Sequence, residues 1–287
     1  MRKFFLWSLT AILCLTAGAA LASPNLHVAV SILPQKFFVE KIGGSYVDVT
    51  TVVPKGASPA TYEPKPSQMA ELSSCSLWFT IGVPFERAQK DRLLAALPDL
   101  EEVPTYQGIK LYPIEGADHH DDHGHGALDP HIWLSPPEVM LQVRSIAMAM
   151  AEADPPRSDV YMSNYIKFAA ELADLDRHLA QELAPLKGRS FMVFHPSWGY
   201  FARAYGLRQR AVELEGKEPK PAELGRLVEL AKDEKIDTIF VQPQFSTAAA
   251  KTLAETIGGQ VAPMDPLAED WDFNLRKVAK ALRKALR

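Results

Sequence analysis

Short apolar runs alternate twice with segments of helical period along the chain. In the first half the apolar runs predict strands at 26–30, 47–53 and 77–81, with helices at 34–42, 67–72 and 84–97. In the second half the predicted strands are 190–194, 207–212, 238–241 and 260–264, and the predicted helices are 198–205, 222–234, 246–257 and 273–286. Strands separated by helices of this length form parallel sheets covered on both faces, so the pattern predicts an α/β fold.

A long periodic stretch between the two halves predicts a linking helix. Ser135 can cap a helix whose first residue is Pro136, and this helix is expected to end near Ala153. After two further prolines, residues 158–186 keep a helical period, which corresponds to roughly 40 Å at 1.5 Å per residue. We therefore expect an N-terminal β/α lobe over 23–153, a linking helix over 154–187 and a C-terminal β/α lobe over 188–287.

The composition is that of an ordinary globular protein, with 47% hydrophobic and 23% charged residues. The formal net charge of −4 argues against nucleic acid as a partner, because proteins that bind a phosphate backbone usually carry a basic patch.

The first residues have the pattern of a cleavable secretory signal. Arg2 and Lys3 precede an apolar run, and small residues then end in Ala22. The run is shorter than the roughly 20 residues of a membrane span, and Cys14 lacks the small preceding residue of a lipidation site. We expect residues 1–22 to be a signal peptide and the mature protein to be soluble in the periplasm; a permanent anchor is the alternative.

A short segment at 118–126 is rich in potential metal ligands. The eight residues 118–125 hold three Asp and four of the eight His of the chain, and these His are His119, His120, His123 and His125. Imidazoles and carboxylates suit Zn²⁺ and related divalent ions, so an auxiliary metal-binding loop is predicted. The alternative is a solvated linker whose histidines are incidental.

Three further polar residues follow apolar stretches at positions where a parallel sheet presents ligands. His195 follows the strand predicted at 190–194, Asp265 follows the one predicted at 260–264, and His131 precedes the helix capped by Ser135. Each is individually more typical of a structural residue, but together they offer two imidazoles and one carboxylate to a divalent ion. The sequence has no His-Glu-x-x-His, Gly-x-Ser-x-Gly, Cys-x-x-Cys or phosphate-binding glycine loop that would indicate an enzyme.

Five motifs occur in order over most of the chain: GASPATYEPKPS at 56–67, DPHIWLSP at 129–136, FHPSWGYF at 194–201, EGKEP at 215–219 and DPL at 265–267. In these motifs the chain resembles the ZnuA-like (cluster A-I) periplasmic proteins that deliver zinc or manganese to ABC importers. The resemblance implies two β/α lobes joined by one long helix and an ion held between them. It also implies a membrane permease as partner, a monomeric state and no enzymatic activity.

Carried over from the family, His131, His195 and Asp265 correspond to metal ligands, and the histidine at 195 favours Zn²⁺ over Mn²⁺ or another divalent metal. Ala60 stands where the family usually has its first ligand, a histidine, and leaves that position without a donor. Water, a loop histidine or a degenerate site with another cargo would each account for this. The alternative functions are a periplasmic metal chaperone or buffer, and an exported zinc metalloenzyme with Glu63 or Glu215 as base.

Overall fold

Two parallel β-sheets of four strands each organise the computed structural model, which describes residues 25–114, 128–213, 219–245 and 248–286. The first sheet has the order β2-β1-β3-β4 and consists of β1 (Leu26–Val30), β2 (Val47–Thr51), β3 (Leu77–Thr80) and β4 (Glu101–Pro104). The second has the order β6-β5-β7-β8 and consists of β5 (Ser190–Val193), β6 (Arg208–Ala211), β7 (Thr238–Val241) and β8 (Gln260–Pro263). Neighbouring strands in both sheets are parallel, so the predicted α/β class is confirmed.

Strand β4 was not predicted from the sequence. Its residues are Glu-Glu-Val-Pro, which neither alternate nor form an apolar run. The strand lies at the edge of its sheet, where Pro104 need not donate a ladder hydrogen bond on the outer side. Pairing with the buried β3 therefore makes it a strand, since its own side chains carry little strand signal.

The helices follow the predicted alternation. They are α1 (Leu33–Gly43), α2 (Pro66–Leu72), α3 (Pro84–Ala96), α4 (Pro136–Ala153), α5 (Ser158–Leu183), α6 (Gly199–Ala204), α7 (Pro221–Asp233), α8 (Ala248–Thr256) and α9 (Trp271–Ala285). Proline opens α2, α3, α4 and α7 within the first turn, where the missing N–H has no intrahelical acceptor to lose.

Helix α5 is the predicted linking helix, and its presence is confirmed. Its 26 residues correspond to a length of about 39 Å. A stripe of buried residues spaced three or four apart includes Phe168, Leu172, Leu175 and Leu179 and faces the protein. The stripe packs against α1 and α4 from the first half and α9 from the second, so α5 contacts both halves.

An aromatic cluster joins helices from the two ends of the chain. Phe38 of α1 meets Trp271 of α9 edge to face at 5.1 Å, and Phe168 of α5 packs against Phe38 at 6.3 Å. These three side chains are buried, and such aromatic contacts add about 0.5–1.5 kcal/mol beyond the burial of their area. The core is therefore continuous from the first half into α9.

Several predictions fall outside the residues that the structure describes. They are the signal peptide at 1–22, the four loop histidines and Glu215. The exact lobe boundaries remain predictions. Cys75 is buried in the core. Within the described ranges, none of the helices combines the length and apolar character that crossing a bilayer requires.

Candidate metal centre

His131 lies in the turn before α4 and is held by the carboxylate two residues earlier. Asp129 Oδ1 accepts hydrogen bonds from the backbone N of His131 at 2.9 Å and from its Nδ1 at 2.6 Å. This is the local geometry that Asp favours when it precedes a turn. Both side chains are buried. Burial lowers the pKa of His131, and the Asp129 carboxylate partly opposes that effect. The ring therefore stays neutral. Its Nδ1–H donates to the Asp129 carboxylate, and the lone pair of Nε2 remains available.

His195 directly follows Phe194 at the carboxyl end of β5. The side chain of Gln242 holds its backbone, since Gln242 Oε1 accepts from His195 N at 3.1 Å and Nε2 donates to His195 O at 2.7 Å. Glu213, which is 4% exposed, lies with Oε1 3.1 Å from His195 Nδ1. The ring of Phe245 stacks on the imidazole at 4.9 Å. His195 thus repeats the arrangement at His131, because its Nδ1 also lies within hydrogen-bonding distance of a buried carboxylate.

The two imidazoles meet across the interface between the two halves of the chain. Their ring centroids are 5.2 Å apart and the rings are nearly perpendicular, at 71°. Both line a cavity of about 120 Å³ whose wall also includes Ala60 and Gln244. The structure therefore brings together the two predicted histidines and the position where the family's first ligand is expected. Two imidazoles suit zinc.

Asp265 lies beside this cavity and lines the neighbouring one, of about 660 Å³. Its Oδ1 accepts from Gln244 Nε2 at 3.1 Å and from the backbone N of Leu267 at 2.9 Å. Gln244 and Leu267 line both cavities, whereas Asp265 is not among the residues that line the cavity of the imidazoles. Among the residues described, no three His, Cys, Asp or Glu side chains gather into a group that would hold a metal. The ligand role of Asp265 stays a prediction, as do those of the two histidines.

The segment after His131 connects the site to the second half of the chain. Trp133 Nε1 donates to the backbone O of Pro266 at 2.7 Å, and Trp271 Nε1 donates to Trp133 O at 2.7 Å. Both indoles are buried, which makes their hydrogen bonds costly to lose. The residue next to Asp265 is therefore tied to the segment that carries His131.

Sequence reasoning missed four side chains that shape the site. Asp129 was recognisable from its Asp-x-His spacing, and Glu213 from its position just beyond β6, at the same sheet edge as His195. Gln242 and Gln244 carry no pattern that points to a ligand. Glu63, the base considered for an enzyme, is exposed and lines neither of the two cavities.

Comparisons with known proteins agree with this arrangement. The ZnuA family, described as "Zinc-uptake complex component A periplasmic", matches residues 28–285. A crystal structure of ZnuA is 42% identical, covers 92% of this chain and all of its own, and superposes with a TM-score of 0.87. A ZnuA deletion mutant with zinc bound is also 42% identical, covers 91% of this chain and 98% of its own, and has a TM-score of 0.85. The high-affinity zinc uptake protein ZnuA of Bacillus subtilis is 29% identical over 85% of this chain and 79% of its own length.

Proposed function

The chain belongs to the ZnuA family of periplasmic zinc-uptake components, and from that premise we propose that it captures Zn²⁺ outside the cytoplasm and delivers it to an ABC importer. Residues 1–22 direct export to the periplasm and are removed. The partner is the membrane permease of the importer, and the protein acts as a monomer without catalysing a reaction. Residues 23–153 and 188–287 form the two lobes, and the residues between them form the link.

The observation that carries this proposal is the paired imidazoles, whose ring centroids are 5.2 Å apart. His131 and His195 provide two neutral nitrogen ligands, each oriented through its Nδ1 by a buried carboxylate. Such outer carboxylates fix the ring orientation and raise the basicity of the ligating nitrogen. Asp265 supplies a negatively charged ligand once Gln244 and the adjoining turn adjust around the ion.

The chemistry of these donors favours zinc among divalent cargo ions. Imidazole nitrogen suits Zn²⁺, whereas Mg²⁺, Ca²⁺ and Mn²⁺ prefer carboxylate, carbonyl and water oxygens. The histidines at 118–126 collect further ions weakly, because a glycine-containing loop must lose conformational entropy to bind them.

Calorimetric titration of the metal-stripped protein with zinc and with manganese tests the proposal. We expect one tight zinc site per chain and weaker manganese binding. His131→Ala and His195→Ala should each weaken zinc binding by at least about tenfold, which corresponds to about 1.4 kcal/mol. His27→Ala is the matched control, because His27 is half-exposed beside Asp48 and remote from the cavity lining.

A wild-type protein that binds no zinc, or site variants that bind as tightly as the control, would contradict the proposal. Repeating the titration without residues 118–126 separates the loop from the cavity. Loss of the weak ions alone fits an auxiliary loop, whereas loss of the tight site means that the loop supplies an essential ligand.

A further inference from the structure

Gln244 lines the cavity of the paired imidazoles and also donates a hydrogen bond to the carboxylate of Asp265. It belongs to the turn after β7 and lines both cavities of the site. The same turn holds His195 from two sides, since Gln242 binds its backbone and Phe245 stacks on its ring. The turn that carries Gln244 is therefore attached to His195 through residues 242 and 245.

The contact with Asp265 determines which end of the amide is oxygen. Gln244 Nε2 donates to Asp265 Oδ1 at 3.1 Å, and turning the amide over would place its oxygen against a carboxylate oxygen. The Gln244 Oε1 atom thus points away from Asp265.

That oxygen is buried and accepts no hydrogen bond from the part of the chain that the structure describes. A buried acceptor without a partner is destabilising, because it has given up its hydrogen bonds to water and gained none in return. Buried acceptors are nearly always satisfied, so Gln244 Oε1 is open to a partner that the described residues do not supply. The cavity that Gln244 lines also has Ala60, His131 and His195 in its wall.

Ala60 leaves this cavity without the donor that a histidine at position 60 would provide. Building on the proposed function, we infer that the side-chain carbonyl of Gln244 is the fourth donor to the captured zinc, beside His131, His195 and Asp265. Both polar atoms of the amide contribute to the site. Nε2 orients the Asp265 carboxylate, and Oε1 binds the ion directly. An amide oxygen is a weaker zinc ligand than imidazole, so this site binds zinc less tightly than a site with a third histidine.

Two substitutions at position 244 separate binding from mere positioning. Gln244→Met keeps the length of the side chain and removes both polar ends. Gln244→Glu keeps an oxygen at the Oε1 position and makes it charged, but replaces the donor to Asp265 with a repelling carboxylate. If Gln244 binds the ion, the Glu variant should bind zinc at least about tenfold more tightly and the Met variant at least about tenfold more weakly. If Gln244 only positions Asp265, both variants should bind more weakly.

The measurement is calorimetric titration of each metal-stripped variant with zinc, together with the absorption spectrum of the protein loaded with Co²⁺, which responds to the ligands of the ion. Gln107→Glu is the matched control, because it makes the same charge change on an exposed glutamine that lines neither cavity. Circular dichroism of the metal-free variants checks that each is folded.

Opposite shifts of the Met and Glu variants, with altered Co²⁺ spectra and an unchanged control, support direct binding. Weaker binding by both variants, or no change in either, overturns the inference while tight wild-type binding leaves the proposed function intact. Absence of zinc binding by the wild type overturns the proposed function itself. Unchanged binding by the Met variant combined with weaker binding after deletion of 118–126 assigns the fourth donor to the loop instead.

Discussion

Replacing Asp129 by Asn tests whether the buried carboxylate prepares His131 for zinc. The distance from Asp129 Oδ1 to His131 Nδ1 is 2.6 Å, and their side chains are 5% and 10% exposed. The carboxylate accepts a hydrogen bond from Nδ1–H, which keeps the proton on Nδ1 and leaves Nε2 as the nitrogen with a lone pair. An Asn side chain has nearly the same shape and can keep an oxygen at the Oδ1 position for both hydrogen bonds, but it lacks the negative charge that raises the basicity of the ring.

The size of the effect follows from this contact. Removing a carboxylate that orients a metal-binding histidine costs typically about 10–100-fold in affinity, or about 1.4–2.7 kcal/mol. We expect the upper part of this range, because the contact is short and water has little access to compensate for the lost charge. The backbone hydrogen bond from His131 N can persist to the Asn oxygen, so the turn should keep its shape.

The assay is competition of the protein with a chelator of known zinc affinity, at neutral pH. Asp48→Asn provides the matched control: Asp48 lies 3.6 Å from the exposed His27, and its side chain is 55% exposed. The control should stay within about twofold of wild type, since exposed pairs contribute little. Equal losses in both variants, or none at Asp129, would refute the reasoning that the buried carboxylate tunes the ligand.

Further predictions concern the cavity wall, the space around Asp129 and two titrations. Ala60→His should tighten zinc binding by about tenfold in the calorimeter, and unchanged affinity would mean that a nitrogen donor already fills this place. Gly199→Ala should weaken zinc binding, because the added Cβ would lie 2.9 Å from Asp129 Oδ2; Gly225→Ala has open space and should leave affinity unchanged. Burial raises the pKa of Glu86 from 4.5 to about 7. Between these pH values the folded protein keeps a proton that the unfolded chain releases. The stability present at pH 5 is therefore lost as the pH rises toward 8. Urea unfolding of Glu86→Gln should show this pH-dependent loss reduced by up to about 3 kcal/mol, whereas an unchanged profile would refute it. Zinc affinity should fall as the pH drops below about 6.5, and because burial lowers the pKa of His131, the protonation of this residue should reduce affinity only at a lower pH. Constant affinity from about pH 5 to 8 would exclude histidine ligation.

The fold could be predicted from the sequence because its information is local. Apolar runs of four or five residues mark the central strands, and the spacing of the buried leucines marks α5. The edge strand β4 could not be predicted in this way, because its structure depends on pairing with β3 and hardly on its own composition. The exact lobe boundaries stay predictions.

The site could be predicted where a potential ligand directly follows the end of a strand. His195 comes directly after β5, and the rule that ligands meet at the carboxyl edge of a parallel sheet applies to it. The same rule led to Asp265, yet the structure places this carboxylate in the adjoining cavity. The direction of a side chain depends on partners such as the next turn's Leu267 N and the Gln244 amide, 21 residues away, which no strand pattern encodes.

The contacts around the site explain how one small ion can act on both halves of the chain. His131 comes from the segment before α4, whereas His195 and Gln244 follow strands of the second sheet. The Trp133 indole already ties these halves together through Pro266 O, and α5 packs on helices from both. Because buried hydrogen bonds and a continuous helix resist large displacement, we expect zinc binding to involve only local adjustment of the turns that carry Asp265 and Gln244. A site that closes by moving turns needs little binding energy for domain motion, so the affinity of this protein should depend mainly on the donors in its cavity.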